Sequence, residues 1–210
     1  MAPITIWGRT SSSNVMKVLW LCEELGLPYE RIDAGGEFGR TRDPGYLAMN
    51  PNALVPTLVE ADGYSLWESN AILRYLANTR APGHPIYPAA PRARADVERW
   101  MDWQLSSLNA PMTAIFLGLV RTPPERRDAA ALEAARGRAE ALWAMVDAQL
   151  AGRGFVTGDS LSLADIVLGM YAHRWFALPI ERGPLPALAA WYARLGDRRG
   201  FAAHCTGPLA

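Results

Sequence analysis

The sequence predicts an α/β domain over residues 1–80 and an all-helical domain over residues 92–210, joined by a linker at 81–91. Three observations carry this reading. The first thirty-three residues alternate strand, helix and strand signals. A hairpin signature and a further helix follow before residue 80. Beyond the proline-punctuated stretch Pro82, Pro85, Pro88 and Pro91, strand patterning disappears and only helical periodicity remains.

Ile4 and Ile6 alternate with Thr5 and Trp7, which predicts a short strand ended by Gly8. Val15, Val18, Leu19, Cys22 and Leu25 then recur at helical spacing, with Gly26 in the C′ position and Pro28 as a stop. Tyr29 to Asp33 reads as a second strand. Strand, helix and strand within this length imply a right-handed crossover with parallel strands. Asp62-Gly63 between Thr57-Leu58-Val59 and Leu66-Trp67 is hairpin chemistry, because both residues tolerate positive φ. Ser69 opens the apolar-periodic segment ending at Leu76 and is the expected N-cap. The resulting order, βαβ then ββα, is thioredoxin-like. Residues 35–45, rich in glycine and charge, read as a long binding loop.

In the helical half, Arg94 to Val120 is one periodic run carrying Pro111, which is expected to kink it. Thr122-Pro123-Pro124-Glu125 reads as a capping box starting a helix that runs to about Leu150. Ser162-Leu163-Ala164-Asp165 is a second capping box, with Asp165 a fold determinant rather than an acid catalyst. The helix behind it, Ile166 to Phe176, is apolar on nearly every side and should form the buried centre. A last helix is expected at Leu188 to Leu195, followed by a short mobile tail.

One stretch, from Asn50 to Leu76, concentrates groups suited to a peptide-like ligand. Pro56 sits at a strand entry, where a proline costs no ladder hydrogen bond. With a cis peptide bond there, Val55 can offer its N–H and C=O to an extended ligand; an ordinary trans proline is the alternative. A helix start at Ser69 presents unpaired N–H groups and partial positive charge for a carboxylate, and Glu68 supplies a negative charge for an ammonium. Together they form a receptor for an α-amino-acid head group. The bland alternative is a helix cap beside a surface glutamate.

The segments NPNALVPTL and LWESNAILRYL resemble the glutathione-binding half of cytosolic glutathione S-transferases, and the opening is similar to bacterial members of theta or nu type that begin WGRxxSxNVxKVL. The resemblance covers the whole chain. It implies a cis-proline at Val55-Pro56, a Glu68-Ser69 pair on the γ-glutamyl end of glutathione, and a glycyl-carboxylate contact from the 35–45 region, where Arg42, with Arg40 behind it, is the candidate and a solvated charge the alternative. Many relatives carry a lysine or another polar residue before the Val-Pro pair, where this chain has Leu54, so one glycyl contact is unassigned. The resemblance also implies a homodimer, with the first domain of one subunit against the second domain of the other.

Conjugation needs a thiolate, and lowering a thiol pKa from about 8.5 by two units takes roughly 2.7 kcal/mol of preferential binding to the anion. A hydroxyl hydrogen bond at the head of the first helix suits that need. In serine-type relatives the active hydroxyl lies six positions before the valine that aligns with Val18, which points to Ser12, and Asn14 matches a position where an amide meets the thiol. Ser11, Ser12 and Ser13 as simple helix caps are the alternative. Pro111, Ile115, Phe116, Leu119 and Arg174, with Tyr171 and Trp175 beside them, are the candidates for the electrophile side, where an arginine could hold a small halo-acid.

Composition narrows the alternatives. Zero formal net charge argues against nucleic acid and anionic membranes as partners. No apolar run reaches membrane-span length and the N-terminus lacks a signal-peptide pattern, so a cytoplasmic protein is expected. Cys22 and Cys205 form no C-x-x-C motif, and His84, His173 and His204 show no ligand spacing, so no metal is expected. Cys22 reads as a buried hydrophobe and Cys205 as a free thiol in the tail. The function expected is glutathione transfer to small electrophiles in detoxification. Glutathione-dependent disulfide or peroxide reduction is a second class, and a non-catalytic glutathione-binding or interaction module a third.

Overall fold

The computed structural model describes residues 3–209. The chain divides into two compact units: the first runs to His84 and takes back Arg198–Gly207, and the second comprises Pro85–Asp197 and the residues from Pro208 on.

In the first unit, β1 (Ile4–Trp7), α1 (Ser13–Leu25), β2 (Tyr29–Ile32), α2 (Pro44–Met49), β3 (Thr57–Val59), β4 (Ser65–Trp67) and α3 (Ser69–Arg80) follow in chain order. The sheet order is β2-β1-β3-β4. β1 runs parallel to β2, with Ile4 opposite Tyr29, and antiparallel to β3, with Ile6 opposite Leu58. β3 and β4 form the antiparallel hairpin, Leu58 facing Leu66. Ile4, Ile6 and Leu58 are buried with Val18, Leu19, Ile72, Leu73 and Leu76, so one apolar core joins the sheet to α1 and α3. Gly26 closes α1 at φ 60, its N–H reaching back to Cys22 and Glu23 carbonyls, as the C′ reading requires.

Several local readings are corrected. The hairpin link is longer than a two-residue turn: Glu60 N–H donates to Tyr64 O at 2.8 Å, and only Gly63, at φ 90, has the positive φ expected of both turn residues. The 35–45 stretch is not loop throughout. After a 3-10 turn at Gly36–Phe38, Pro44 takes the first turn of α2 behind Asp43, where its missing N–H costs nothing. Ser69 is not the N-cap of α3: Glu68 occupies that position, at φ 71 and ψ 108 and with no side-chain capping bond, and Ser69 is the first helical residue.

The C-terminal segment is corrected as well. Arg198–Gly207 groups with the first unit and is not a loose tail. α9 (Arg199–His204) packs on α1, with Phe201 edge-on to Trp20 at 4.9 Å and Arg198 paired to Glu24. The approach is close because Gly200 lacks a Cβ: one built there would meet Trp20 Cδ1 at 2.6 Å. Cys205 is therefore fully buried, as is Cys22.

In the second unit, α4 (Pro91–Trp103) passes through a π-helical turn at Gln104–Leu108 into α5 (Asn109–Phe116), and a second π turn follows at Leu117–Arg121. At the site of the expected kink the helical register changes. Pro111 cannot donate to the carbonyl four residues back, and the widened π register ends three residues before it, at Leu108. The helix α6 (Ala129–Leu150) starts later than its first capping signature suggests. Thr122 Oγ1 donates to Leu117 O instead of capping, Pro124–Arg126 is a 3-10 turn, and Asp128 caps α6 by accepting from Ala131 N at 2.9 Å.

α7 (Leu163–Ala177) is the buried centre of this unit, ahead of α8 (Pro186–Gly196). Asp165, fully buried, completes the capping box and accepts from Ser162 N, Ser162 Oγ, Val156 N and Trp191 Nε1, all between 2.7 and 2.9 Å. Burial pushes its carboxyl up, and these four donors oppose that shift. Its role in tying three segments together is structural.

Candidate functional site

A recess in the first unit is lined by Asn14, Asn50, Asn52, Leu54, Val55, Pro56, Trp67, Glu68 and Ser69. The structure thus gathers five of the residues singled out in sequence: Asn14 from α1, Val55 and Pro56 from the entry to β3, and Glu68 and Ser69 from the head of α3. The Val55–Pro56 peptide is cis. Ser69 Oγ lies 3.3 Å from Asn14 Oδ1, so the starts of α1 and α3 meet at the recess. The residue that follows Ser69 makes a second tie: Lys17 Nζ, buried in α1, donates to Asn70 Oδ1 at 3.2 Å.

The floor is a hydrogen-bonded turn that sequence reasoning missed. Asn50 Nδ2 donates to Leu54 O at 2.9 Å and to Thr57 Oγ1 at 3.0 Å, while Asn50 Oδ1 accepts from Asn52 N at 3.1 Å. Tyr46 adds a hydroxyl donated to Leu54 O at 2.5 Å. These bonds fix the backbone ahead of Val55 and leave the Leu54 side chain 65% exposed at the rim. The Asn50-Pro51-Asn52 sequence is itself a turn signal, because an asparagine side chain can bond the backbone two residues on.

Backbone strain concentrates here. Ala53 (φ 55) and Glu68 (φ 71) are two of three non-glycine residues with positive φ among those described; the third is Arg40 (φ 66), which precedes α2. Such conformations cost about 1–3 kcal/mol each and persist where surrounding structure over-determines them, often at ligand sites. At Glu68 the carboxylate-bearing residue is held directly before the free N–H groups of the first turn of α3.

The three serines at the head of α1 have different surroundings. Ser11 Oγ accepts from Arg9 Nε at 3.1 Å, and Ser13 is buried. Ser12 is the N-cap residue of α1, half-buried, and its side chain makes no capping bond. It is not among the residues lining the recess, although its loop is close: a Cβ on Gly8 would approach Val15 Cγ2 to 2.4 Å and Val55 Cβ to 3.3 Å. Arg42 is exposed and does not line the recess; Arg40 faces a neighbouring cavity of about 400 Å³ with Trp7, Asp43 and Tyr46. Among the described residues no group of three His, Cys, Asp or Glu gathers in a metal-binding arrangement.

In the second unit, Pro111, Ile115 and Phe116 are buried on α5, while Leu119 is half-buried in the π turn that follows. Arg174, half-buried on α7, places its guanidinium 4.1 Å from the Phe116 ring centre and 5.9 Å from that of Tyr171. Tyr171 and Trp175 are buried beside it, and the Tyr171 hydroxyl donates to Asn109 Oδ1 at 2.5 Å. Burial raises the Tyr171 phenol, an effect the nearby Arg174 charge opposes.

A mixed four-stranded sheet of thioredoxin-like order, with a recess at a cis-proline and a second, all-helical unit, defines the class of protein. Comparison with known proteins gives the family. Residues 2–78 match the family model for the N-terminal domain of glutathione S-transferases and residues 129–194 that for the C-terminal domain. The chain is 45% identical to glutathione S-transferase GstB of Escherichia coli K12, over 93% of this chain and 94% of the relative. It is 28% identical to glutathione S-transferase F10 of Arabidopsis thaliana, over 94% of each. Among solved structures, the theta class glutathione S-transferase of Xanthomonas axonopodis pv. citri with glutathione bound superposes with a TM-score of 0.93 at 46% identity, covering all of both chains. The chain belongs to the glutathione S-transferase family.

Proposed function

We propose that the recess binds glutathione as co-substrate and that the chain is a glutathione transferase acting on small electrophiles, halo-acids among them. The observation that carries this reading is the convergence of Glu68, Ser69 and Asn14 with the Val55–Pro56 edge in one recess. It supplies a carboxylate for the ammonium and a helix start for the carboxylate of a γ-glutamyl group, beside backbone for a cysteinyl unit.

In this reading Ser12 donates to the glutathione sulfur. Its hydroxyl is the one of the three that neither accepts from Arg9 nor is buried. Asn14 orients the same sulfur or the γ-glutamyl arm through its amide, and Arg42 meets the glycyl carboxylate. The thiol gives its proton to solvent on binding. The thiolate sulfur then forms a bond to the electrophilic carbon as halide leaves with its bonding pair. Pro111, Ile115, Phe116, Leu119 and Arg174 form the electrophile side. The protein works in the cytoplasm as a homodimer, so light scattering at micromolar concentration should give twice the 23.0 kDa chain mass.

Calorimetric titration of glutathione into wild type and Glu68→Gln tests the site. Losing the ammonium partner should weaken binding about tenfold, the size of one charge-assisted hydrogen bond. Unchanged affinity would move the γ-glutamyl group elsewhere.

The exposed amide of Asn14 favours a second reading, glutathione-dependent disulfide or peroxide reduction by the same thiolate. Turnover of a glutathione mixed disulfide without any conjugation of halo-substrates would select it. Failure to bind immobilised glutathione would select a non-catalytic module.

A further inference from the structure

Three arginines of the second unit are half-buried. Arg94 donates to Pro88 O, and Arg136 pairs with Glu133 and Glu140. Arg174 makes neither an ion pair nor a hydrogen bond among the described residues; its contacts are the faces of Phe116 and Tyr171. A second cation, the exposed Arg121 that ends the π turn after α5, lies 5.9 Å from the same Phe116 ring centre and is likewise without an ion pair or hydrogen bond among the described residues. Burial works against the Arg174 charge, and Arg121 adds to that effect while Tyr171 partly offsets it.

We propose that Arg174 and Arg121, gathered on the Phe116 ring, form an anion receptor in the helical unit that selects electrophiles carrying a carboxylate. A cation withdrawn from water without a partner is costly, and two like charges on one ring increase that cost. A carboxylate relieves both, because a guanidinium fork can donate two parallel hydrogen bonds to it. The rings set the rest of the ligand. Phe116 and Tyr171 are themselves buried, so the wall behind the charge is aromatic, which suits a short or aromatic body and not a long polar one. The substrate class is therefore an acid whose reactive carbon sits on a small apolar or aromatic frame. This deepens the transferase reading and rests on it.

The test pairs 4-chloro-3-nitrobenzoate with its uncharged methyl ester. In both, sulfur adds at the ring carbon bearing chlorine and chloride leaves. The ratio of kcat/KM for acid over ester is measured in wild type, Arg174→Gln and Arg121→Gln. That ratio should fall at least tenfold in Arg174→Gln and severalfold in Arg121→Gln; a ratio unchanged in both variants overturns the receptor. Arg121 is exposed, so its variant keeps the test readable if Arg174→Gln folds poorly. Calorimetric titration of the acid without glutathione separates the two levels of the account. Binding of the acid that is lost in the variants, with no turnover of either compound, would uphold the receptor and sink the transferase reading. Wild-type binding of the ester as tight as that of the acid would overturn the receptor itself.

Discussion

Ser69 Oγ donates to Asn14 Oδ1 at 3.3 Å, fastening the first turn of α3 to the first turn of α1 at the edge of the recess. Ser69 is buried and Asn14 exposed, so one partner sits in the fold and the other opens onto the recess. Ser69→Ala should therefore weaken glutathione binding by about tenfold and cost roughly 1 kcal/mol of stability. Isothermal calorimetry alongside urea unfolding reads both. Full affinity in the variant would show that the hydroxyl does not serve the ligand.

The first unit depends on the end of the chain. Gly200→Val should push α9 from α1, because even a Cβ would sit 2.6 Å from Trp20 Cδ1 and 3.1 Å from Trp20 O. Overpacking of this kind costs about 1–3 kcal/mol. A lowered urea midpoint, accompanied by a red shift of Trp20 emission, is the expected result.

Both cysteines should be chemically silent in the native state. Burial, with Glu23 adding to it, raises the Cys22 thiol from 9.0 to about 12, and burial pushes Cys205 up in the same direction. A thiol whose folded pKa lies above its unfolded value contributes stability in full below the unfolded pKa, near pH 9. That contribution is lost as pH rises toward about 12. Ellman's reagent at pH 8 should find no reactive thiol until denaturant is added, and urea midpoints should fall between pH 9 and 12. A thiol titrating rapidly in the folded protein would contradict this.

Asp165 anchors the helical unit through four accepted hydrogen bonds. Asp165→Ala leaves those donors buried without a partner and should destabilise the protein by about 3–5 kcal/mol. Thermal unfolding that resolves the two units would place the loss in the second. Glutathione affinity of protein that remains folded should be close to wild type.

Much of this was legible in the sequence where local chemistry and tertiary packing agree. The Ile4-Ile6 alternation, the Gly26 stop and the Ser162–Asp165 box each led to the element they signalled. The misreadings occur where a residue's partner is remote in sequence. Gly200 and Phe201 carry no local sign that they pack on Trp20, so the C-terminal segment read as a loose end. At α6 the Thr122 signature misled because Thr122 is diverted to Leu117 O, and Asp128, six residues on, becomes the cap. At Glu68 the periodicity was right but the cap shifted by one, because the sequence does not show which residue takes the strained φ. Asn50 and Asn52 were missed for the opposite reason: their turn signal was present, and only the fold shows that it floors the recess.

The central claim is that the loop before α1 activates the glutathione thiol. It is tested most directly by titrating glutathione into wild type, Ser12→Ala and Asn14→Ala while following thiolate absorbance and conjugation rate together. Ser12→Ala should still bind glutathione yet lose the thiolate signal and about a hundredfold in rate, the equivalent of about 2.7 kcal/mol. Asn14→Ala should lose less of both. Full thiolate signal and full turnover in Ser12→Ala would contradict the account and pass the activating role to Asn14 or to another group.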